Sequence, residues 1–433
     1  MLTKEQQFVS RLQQTQWLSA EELTLYQRPL IERLVRHAAT QTEFYPERLA
    51  ALFHGADART AQIDLACWPS VPIIARADVI QYVDQMKARQ VPQDTGGIRQ
   101  GESSGSTGRK LVHLRSEIAD VIANCMWDRV YELFELNLSG SLAFITYDKD
   151  GRYAYPHGGT ARCWNHTNPE AEVHILDVGA SPAAQLDWLE RVRPAHVMTY
   201  PMMLREVAEL ALARSSALRL ETFISTGEIL DASDRAAIER AFGCRVIDVY
   251  GVREIGQVAF QCPDGAGYHF CSEAVLCELV DDQGAPVRPG EFGRVVVTAL
   301  YNYAMPFIRY EIGDYAQASV SPCSCGRGLP SIDHIGGRTR NMLVLPDGSK
   351  RRVVFDWISQ SLSYRQIQIV QKTIYSIEIR YLPESSAEPD LADLTRLLRE
   401  KFFPGVTVEL VPVKRIERGA GMKFEQFISQ VAK

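Results

Sequence analysis

The sequence predicts an α/β protein, with a large N-terminal domain of mixed and parallel sheets carrying helices and an antiparallel β subdomain, followed by a small α+β C-terminal domain. Three observations predict it. From residue 140 to 250, short apolar runs alternate with amphipathic helical stretches, the spacing of a mostly parallel sheet. From 272 to 320 the texture becomes that of paired strands around turns. Past Gly336-Gly337-Arg338 a smaller β-rich unit with two helical stretches begins, which sets the expected domains at 1–337 and 338–433. A chain of 433 residues is also too long for one ordinary core.

The elements follow in order. Residues 4–60 read as helical, with Leu30, Ile31, Leu34, Val35 and His37 at helical spacing between Arg and Glu. Residues 116–135 form an amphipathic helix whose apolar face is Ile118, Val121, Ile122, Cys125 and Met126. Then come a strand at Leu142–Thr146, a helix at 183–192, a strand at His196–Thr199 and a helix at 202–213. A strand at Phe223–Ser225, a helix at 232–242 and a strand at Arg245–Val249 complete the alternation. A hairpin runs from Glu278–Asp281 through a turn at Asp282-Gln-Gly284 to Arg294–Thr298. In the small domain, strands are expected at Met342–Leu345, Gln366–Val370, Ile374–Tyr381 and Val406–Leu410, and helices at 353–361 and 390–402.

Composition excludes some classes. Hydrophobic residues make up 46% and charged residues 23%, as in soluble globular proteins. With 47 basic and 53 acidic residues the net charge is −6, which is no footprint for nucleic acid. Met1-Leu2-Thr3-Lys4-Glu5-Gln6 has no apolar signal core and no long apolar run follows, so a cytoplasmic location and no membrane partner are expected. The nine cysteines are then expected to be mostly reduced and buried.

Residues 102–110, Glu-Ser-Ser-Gly-Ser-Thr-Gly-Arg-Lys, combine hydroxyls, glycines and cations. Such a loop suits a polyphosphate: glycine lets backbone N–H groups turn onto anionic oxygens, hydroxyls donate and cations neutralise. It is not a G-x-x-x-x-G-K-[ST] loop, and alone it could equally be a plain flexible segment. Ser225-Thr-Gly-Glu228 and Tyr250-Gly-Val-Arg-Glu254 each follow an apolar strand. Ligands of open α/β sheets bind beyond the carboxyl ends of strands, so these segments could share one crevice with the loop; the plain alternative for each is a cap or tight turn. In Arg309-Tyr-Glu-Ile-Gly-Asp314 an aspartate follows a glycine turn, where it could accept from a ribose diol or satisfy its own backbone. Gly419-Ala-Gly-Met-Lys-Phe424 sets one lysine on a glycine-rich loop.

In this order, from about residue 95 to 425, the segments resemble the adenylate-forming superfamily of acyl-CoA synthetases and adenylation domains, and within it the phenylacetate–CoA ligase-like branch. The resemblance implies a large domain that holds ATP and an acid, and a small mobile domain that closes over the site and rotates between half-reactions. It implies that Ser103, Ser104, Gly105, Ser106, Thr107, Gly108 and Lys110 form the loop for the β- and γ-phosphates. Gly227 and Glu228 match the segment along adenine, Tyr250 the aromatic stacked near it, and Gly251 the turn behind. Glu254 matches the Mg2+-ligating glutamate, Asp314 the aspartate that holds the ribose hydroxyls, and Arg338 the arginine that contacts ribose or phosphate. Lys423 matches the lysine that bridges acid and α-phosphate. With Thr107 and Arg253, Lys423 and Glu254 make up the expected catalytic set.

The chain departs from the family at Arg253, where a threonine is common, and at Arg340. It departs again at Met342–Lys350, a strand, a Pro-Asp-Gly turn and a basic cluster (Lys350, Arg351, Arg352) where CoA-using relatives usually carry a glycine-containing loop. Cys262 and His269 around a Pro-Asp-Gly turn, with Cys323-x-Cys325, match structural Zn2+ in number and type, buried thiols being the alternative and Cys271 and His334 reserve ligands. For the acid, Tyr155, His157, Gly158 and Tyr200 are expected contacts, within a segment that also holds Tyr147, Tyr153 and Gly159, and Met202 and Met203 follow.

The expected activity is therefore that of an AMP-forming ligase. It would adenylate a small, aromatic carboxylic acid with Mg-ATP and pass the acyl group to a thiol, either CoA or carrier-protein pantetheine. An amide-forming ligase using the same acyl adenylate, and a nucleotide-binding homologue without catalysis, are the alternatives. The expected partners are the acid, an acyl carrier protein where the thiol is carrier-bound, and a second copy of the chain in a homodimer.

Overall fold

The computed structural model describes residues 4–102, 111–265, 267–338, 342–351, 364–383, 402–419 and 423–431, with single positions at 358, 362, 396, 399 and 400. It divides into two compact units, Met1–Ile335 and Gly336–Lys433.

The large unit opens with helices α1 (Lys4–Thr15) and α2 (Ala20–Gln41). Ser19 and Glu22 close a capping box on α2, which satisfies two of its orphan donors. Short helices α3 (Arg76–Gln81) and α4 (Val83–Met86) precede the hairpin of β1 (Ile98–Glu102) and β2 (Val112–Ser116), and α5 (Glu117–Leu133) follows at once. Next come β3 (Leu142–Thr146), β4 (Gly159–Arg162), β5 (Glu172–Asp177), α6 (Pro182–Val192), β6 (His196–Thr199), α7 (Pro201–Ala213), β7 (Thr222–Thr226), α8 (Ala232–Phe242) and β8 (Arg245–Val252). Strands β9 (Gly256–Gln261), β10 (Tyr268–Phe270), β11 (Val275–Val280), β12 (Phe292–Ala299) and β13 (Tyr310–Ala318) follow, and β14 (Ser331–Arg338) runs across the division at Ile335.

Among the described residues twelve strands form one sheet, in the order β11-β12-β13-β14-β10-β9-β8-β7-β6-β3-β5-β4. Strands β5, β3, β6, β7 and β8 are parallel neighbours. The apolar runs of β6 and β7, in the middle of this set, are buried along almost their whole length, as strands covered on both faces must be. Pro182 at the start of α6, behind the Ser181 cap, and Gly243 in the left-handed region after α8 delimit the crossover helices. Beyond β8 the sheet turns antiparallel through β9 and β10, and the β11–β12–β13 meander has a bulge between Arg294 and Val296.

The N-terminal helices pack far along the chain. Leu34 and Val35 share a core with Phe260, Val297, Phe307 and Tyr310. Tyr45 donates to the Pro306 carbonyl at 2.8 Å, His37 meets the Tyr303 carbonyl at 2.8 Å, and Gln27 donates to Ser272 at 2.6 Å. Beneath α5, Arg129 makes a buried fork onto Glu273, which also accepts from Thr15 at 2.7 Å.

In the small unit, β15 (Leu343–Val344) and β16 (Lys350–Arg351) pair around the Pro-Asp-Gly turn. Strands β17 (Tyr364–Thr373), β18 (Ser376–Pro383), β19 (Thr407–Pro412) and β20 (Phe427–Ser429) form a sheet in the order β19-β18-β17-β20. Its core is Leu343, Ile367, Ile369, Ile377, Ile379, Phe402 and Phe427. The helices expected at 353–361 and 390–402 lie almost wholly outside the described residues. Among the described residues no helix is long and apolar enough to cross a membrane.

Candidate active site

Parallel pairing fixes where the candidate residues emerge. Thr199 lies opposite Ser225 and Thr226 opposite Val249, so Tyr200 and Gly227 leave the parallel strands at their carboxyl edge, beside Tyr250, which β8 carries on into its pairing with β9. Gly227 has φ of 81°, open to glycine without strain. At Gly251 a Cβ would stand 2.5 Å from the Gly256 carbonyl oxygen, so only glycine lets β8 turn back this tightly into β9.

The β8–β9 turn reaches β13, although three strands separate β8 from β13 in the sheet. Tyr250 donates its hydroxyl to Asp314 Oδ2 at 2.8 Å, and Tyr310 donates to Glu254 Oε1 at 3.0 Å. Each segment thus lends a tyrosine hydroxyl to the other's carboxylate. Glu254 is 5% exposed and Asp314 8%. Arg76, the first residue of α3, lies 3.7 Å from Glu254 Oε1. Burial, reinforced by the Glu254 charge, pushes the Tyr310 hydroxyl well above its ordinary value and keeps it a donor. Glu254 offers a hard oxygen of the kind Mg2+ takes alongside substrate phosphates, so the residue fits the ion.

Arg253 is exposed beside the buried glutamate. Burial pushes up the Tyr200 hydroxyl, while the charge and hydrogen bond of Arg253 pull it down and the Glu228 charge pushes it up. Three of the sequence-predicted residues, Tyr200, Glu228 and Arg253, are therefore neighbours.

The other predicted residues are placed less completely. Ser103, Ser104, Gly105, Ser106, Thr107, Gly108 and Lys110 lie outside the described residues, but their stem, the β1–β2 hairpin, pairs in register from Ile98 opposite Ser116 to Glu102 opposite Val112. Arg338 ends β14, and its side chain lies outside the description. Lys423 closes its glycine loop by accepting from the Gly419 N–H at 2.9 Å. Tyr155 and His157 are exposed on the loop leaving β3, where Tyr155–Pro156 is a cis peptide. Gly158 is fixed by packing, since a Cβ there would stand 2.4 Å from the Ile175 carbonyl oxygen. Arg76 and Tyr310 are functional-site neighbours that the sequence reading did not single out. The clue available was Tyr310's place inside the Arg309–Asp314 run, with the side-chain period of two putting it on the same face as Asp314.

Away from this edge, Cys262, His269, Cys323 and Cys325 bring their ligand atoms within 4.8 Å of one another. The Cys262 and Cys323 sulfurs are 3.6 Å apart, and His269 Nε2 is 3.2 Å from the Cys325 sulfur. His269 Nδ1 meets the Leu329 carbonyl at 3.0 Å, which turns Nε2 to the cluster, the usual second contact of a metal-bound histidine. Burial pushes His269 below its ordinary value and the Cys262 thiol up to about 12. At Cys325 burial acts upward too, but the Arg327 N–H and guanidinium and the neighbouring thiols hold it below the ordinary value. Three sulfurs and one neutral imidazole fit a tetrahedral Zn2+. Cys271 and His334 are not part of this group among the described residues. The cluster loop is docked on the N-terminal helices: Arg327 donates to Gln16 at 2.8 Å and lies over the Trp17 ring.

No family model matches the chain. It is 26% identical over 342 residues to the phenylacetate-coenzyme A ligase of Thermus thermophilus, covering 76% of this chain and 73% of that one. To the phenylacetate-coenzyme A ligase of Pseudomonas putida it is 24% identical over 340 residues, with the same coverage of 76% and 73%. Among solved structures, a 2-hydroxyisobutyryl-CoA ligase in its postadenylation state aligns with a TM-score of 0.71 at 17% identity over 96% of this chain and 91% of that one. The amide bond synthetase McbA of Marinactinospora thermotolerans aligns with a TM-score of 0.56 at 18% identity, over 77% and 70%. By sequence the chain is similar to phenylacetate-coenzyme A ligases, and by fold to a solved 2-hydroxyisobutyryl-CoA ligase.

Proposed function

We propose that the protein is an ATP-dependent, AMP-forming ligase that activates a small aromatic carboxylic acid. The observation that carries this reading is the pair of crossed bonds, Tyr250 to Asp314 and Tyr310 to Glu254, at the carboxyl edge of the parallel strands. The similarity to phenylacetate-coenzyme A ligases supports the same class of acid and CoA as acceptor.

A carboxylate attacking the α-phosphorus brings two anions together and expels pyrophosphate, so catalysis rests on positioning and charge neutralisation. Tyr250 orients adenine and Asp314 accepts from the ribose hydroxyls. Arg253, steadied by Tyr200, donates to the α-phosphate. The 103–110 loop wraps the β- and γ-phosphates. Glu254 holds Mg2+, which when bound with the triphosphate offsets its charge. The small C-terminal domain, placed by the sequence at 338–433, supplies Lys423 to the adenylation step and withdraws it for acyl transfer. Tyr155, His157 and Gly158 belong to the acid side of the site. The Cys262–His269–Cys323–Cys325 group holds a structural Zn2+. The acyl group passes to a thiol; the basic Pro-Asp-Gly hairpin of β15 and β16, in place of the glycine loop of CoA-using relatives, favours testing an amine acceptor as well.

The test is pyrophosphate release from Mg-ATP with hydroxylamine as acceptor, across aryl and short aliphatic acids, with Lys423→Ala as control. Acid-dependent release that collapses in the variant is expected. Measurable ATP binding with no release for any acid, even with carrier proteins and amines added, overturns the reading.

A further inference from the structure

Outside the Cys262 group, three further side chains of metal-ligating type meet near the N-terminus: His54, Asp64 and Cys67 bring one ligand atom each within 4.8 Å of one another. His54 Nε2 is 3.1 Å from Asp64 Oδ2, and the Cys67 thiol faces the same oxygen at 3.7 Å. The chain builds this meeting. Residues 54–64 form a loop between two short stretches of 3-10 helix, Ala50–Phe53 and Leu65–Ser70. The Asp64 N–H donates to the Leu52 carbonyl at 2.9 Å and closes the ends of the loop. Arg36 of α2 donates to the Ala58 and Ala61 carbonyls and fastens its span. Asp64 Oδ1 accepts from the Ala66 N–H at 3.0 Å, which leaves Oδ2 turned to His54 and Cys67. Three residues per turn then bring Cys67 round to the side of Asp64. His54 ends the first stretch with φ of 50°, a left-handed position that glycine takes without strain. An exposed ion pair contributes little, so stability alone is a poor reason for a histidine to be held there.

A thiolate, an imidazole and a carboxylate oxygen supply three of the four ligands of a tetrahedral zinc ion, and solvent reaches His54 and Asp64 to supply the fourth as water. The sulfur and nitrogen donors disfavour Mg2+ and Ca2+, which take oxygen.

We propose that His54, Asp64 and Cys67 form a metal site of their own, for a divalent ion of the zinc class with water in the fourth position. Binding exchanges the Cys67 thiol proton, released to solvent, for the ion. The ion staples the 54–64 loop to the segment after it, which is already gripped from the far side of the unit: Arg309 donates to the Pro69 carbonyl at 3.1 Å and the Val71 carbonyl at 2.6 Å, and Trp68 Nε1 donates to Glu278 at 3.2 Å. The site stands apart from the ligase reading and from the Cys262 group, and neither is needed for its test.

The full-length chain is stripped with chelator and refilled with Zn2+, or with Co2+ as a spectroscopic probe, beside His54→Ala, Asp64→Asn and Cys67→Ser. Elemental analysis is expected to find about one zinc ion more per chain in the wild type than in His54→Ala or Cys67→Ser, whatever the Cys262 group holds. Competition with a chromophoric chelator should show this site weakened more than about 100-fold in those two variants, beyond the roughly 10–100-fold that losing a ligand's supporting hydrogen bond costs. Asp64→Asn keeps an oxygen for the Ala66 N–H and should weaken it at least about tenfold. The cobalt difference spectrum between wild type and Cys67→Ser should hold the charge-transfer band of one thiolate. Trypsin cleavage after Arg59, exposed on the loop, should slow about fivefold when zinc is added to the wild type and not in Cys67→Ser. Melting temperatures of the metal-free variants should match that of the metal-free wild type.

Equal zinc content in the wild type and all three variants overturns the proposal. So does a cobalt band that needs Cys67 but persists at full affinity in His54→Ala and Asp64→Asn, because that is one thiol taking metal alone. A loss of zinc matched in all three variants by a fall in the metal-free melting temperature assigns the cluster to packing and overturns it as well.

Discussion

The hydroxyl of Tyr250 donates to Asp314 across 2.8 Å and so ties the end of β8 to β13. A carboxylate oriented before ligand arrives loses less on binding, because the ordering has already been done. Tyr250→Phe is therefore expected to raise KM for ATP about tenfold, the worth of one hydrogen bond to a charged acceptor, while kcat changes little. Asp314→Ala should raise it further. Steady-state pyrophosphate release against ATP concentration measures both; equal KM in Tyr250→Phe and wild type would mean the bond has no part in nucleotide binding.

Glu254 sits buried with Tyr310 and Arg76 at its carboxylate. Glu254→Gln keeps the shape and removes the charge, so its effect isolates metal and phosphate electrostatics. We expect kcat to fall about 100-fold and not to recover at high Mg2+, with the melting temperature held or raised. Recovery of the full rate at high Mg2+ would assign Glu254 to binding the ion alone.

The Cys262–His269–Cys323–Cys325 group should copurify with about one zinc ion per chain, and Cys323→Ser should lose it. Because Arg327 in the same loop grips Gln16 and Trp17, chelation should lower the melting temperature and expose α1 to protease before it abolishes adenylation. Elemental analysis and limited proteolysis read the two effects separately. A metal-free protein of unchanged stability would leave three ordinary thiols and one imidazole.

Burial pushes the Asp248 carboxyl above its ordinary value of 3.8, against the hydrogen bond from Tyr268 and the charge of Arg235. The folded chain therefore binds this proton more tightly than the unfolded chain. The contribution is most favourable below the unfolded value and is lost as pH rises through the window above it. Asp248→Asn, neutral throughout, should melt higher than wild type at pH 7 and lose that advantage below about pH 4. Melting curves from pH 3.5 to 8 check the sign; a variant less stable at every pH would show that the ionised form is the one the Tyr268 bond favours.

The alternation from β3 to β8 was readable because each strand is an apolar run and each helix carries its own start and stop residues, such as Ser181-Pro182 and Gly243. Strands β4 and β10 were not: one is polar and exposed and the other has three residues, so only pairing with β5, β9 and β14 defines them. The same divide runs through the site. Tyr250, Glu254 and Asp314 lie in segments whose order carries the signal. Arg76 stands on an element without a motif, and only tertiary folding brings it to Glu254. The zinc ligands were legible by type, but their convergence depended on β9, β10 and the 323–328 loop meeting.

The contacts between the N-terminal segment, α2 and the residues just after it, and the far end of the large unit bear on how the chain is made. Tyr45 and its acceptor Pro306 are 261 positions apart. At roughly 5–20 residues per second, the apolar stripe of Ile31, Leu34, Val35 and Ala38 waits about 13–50 s on the ribosome for Phe307 and Ile308 to emerge. For that interval the first helices are a sticky, unsheltered surface, and the protein's yield in a cell depends on what shields them until the last strands of the large sheet arrive.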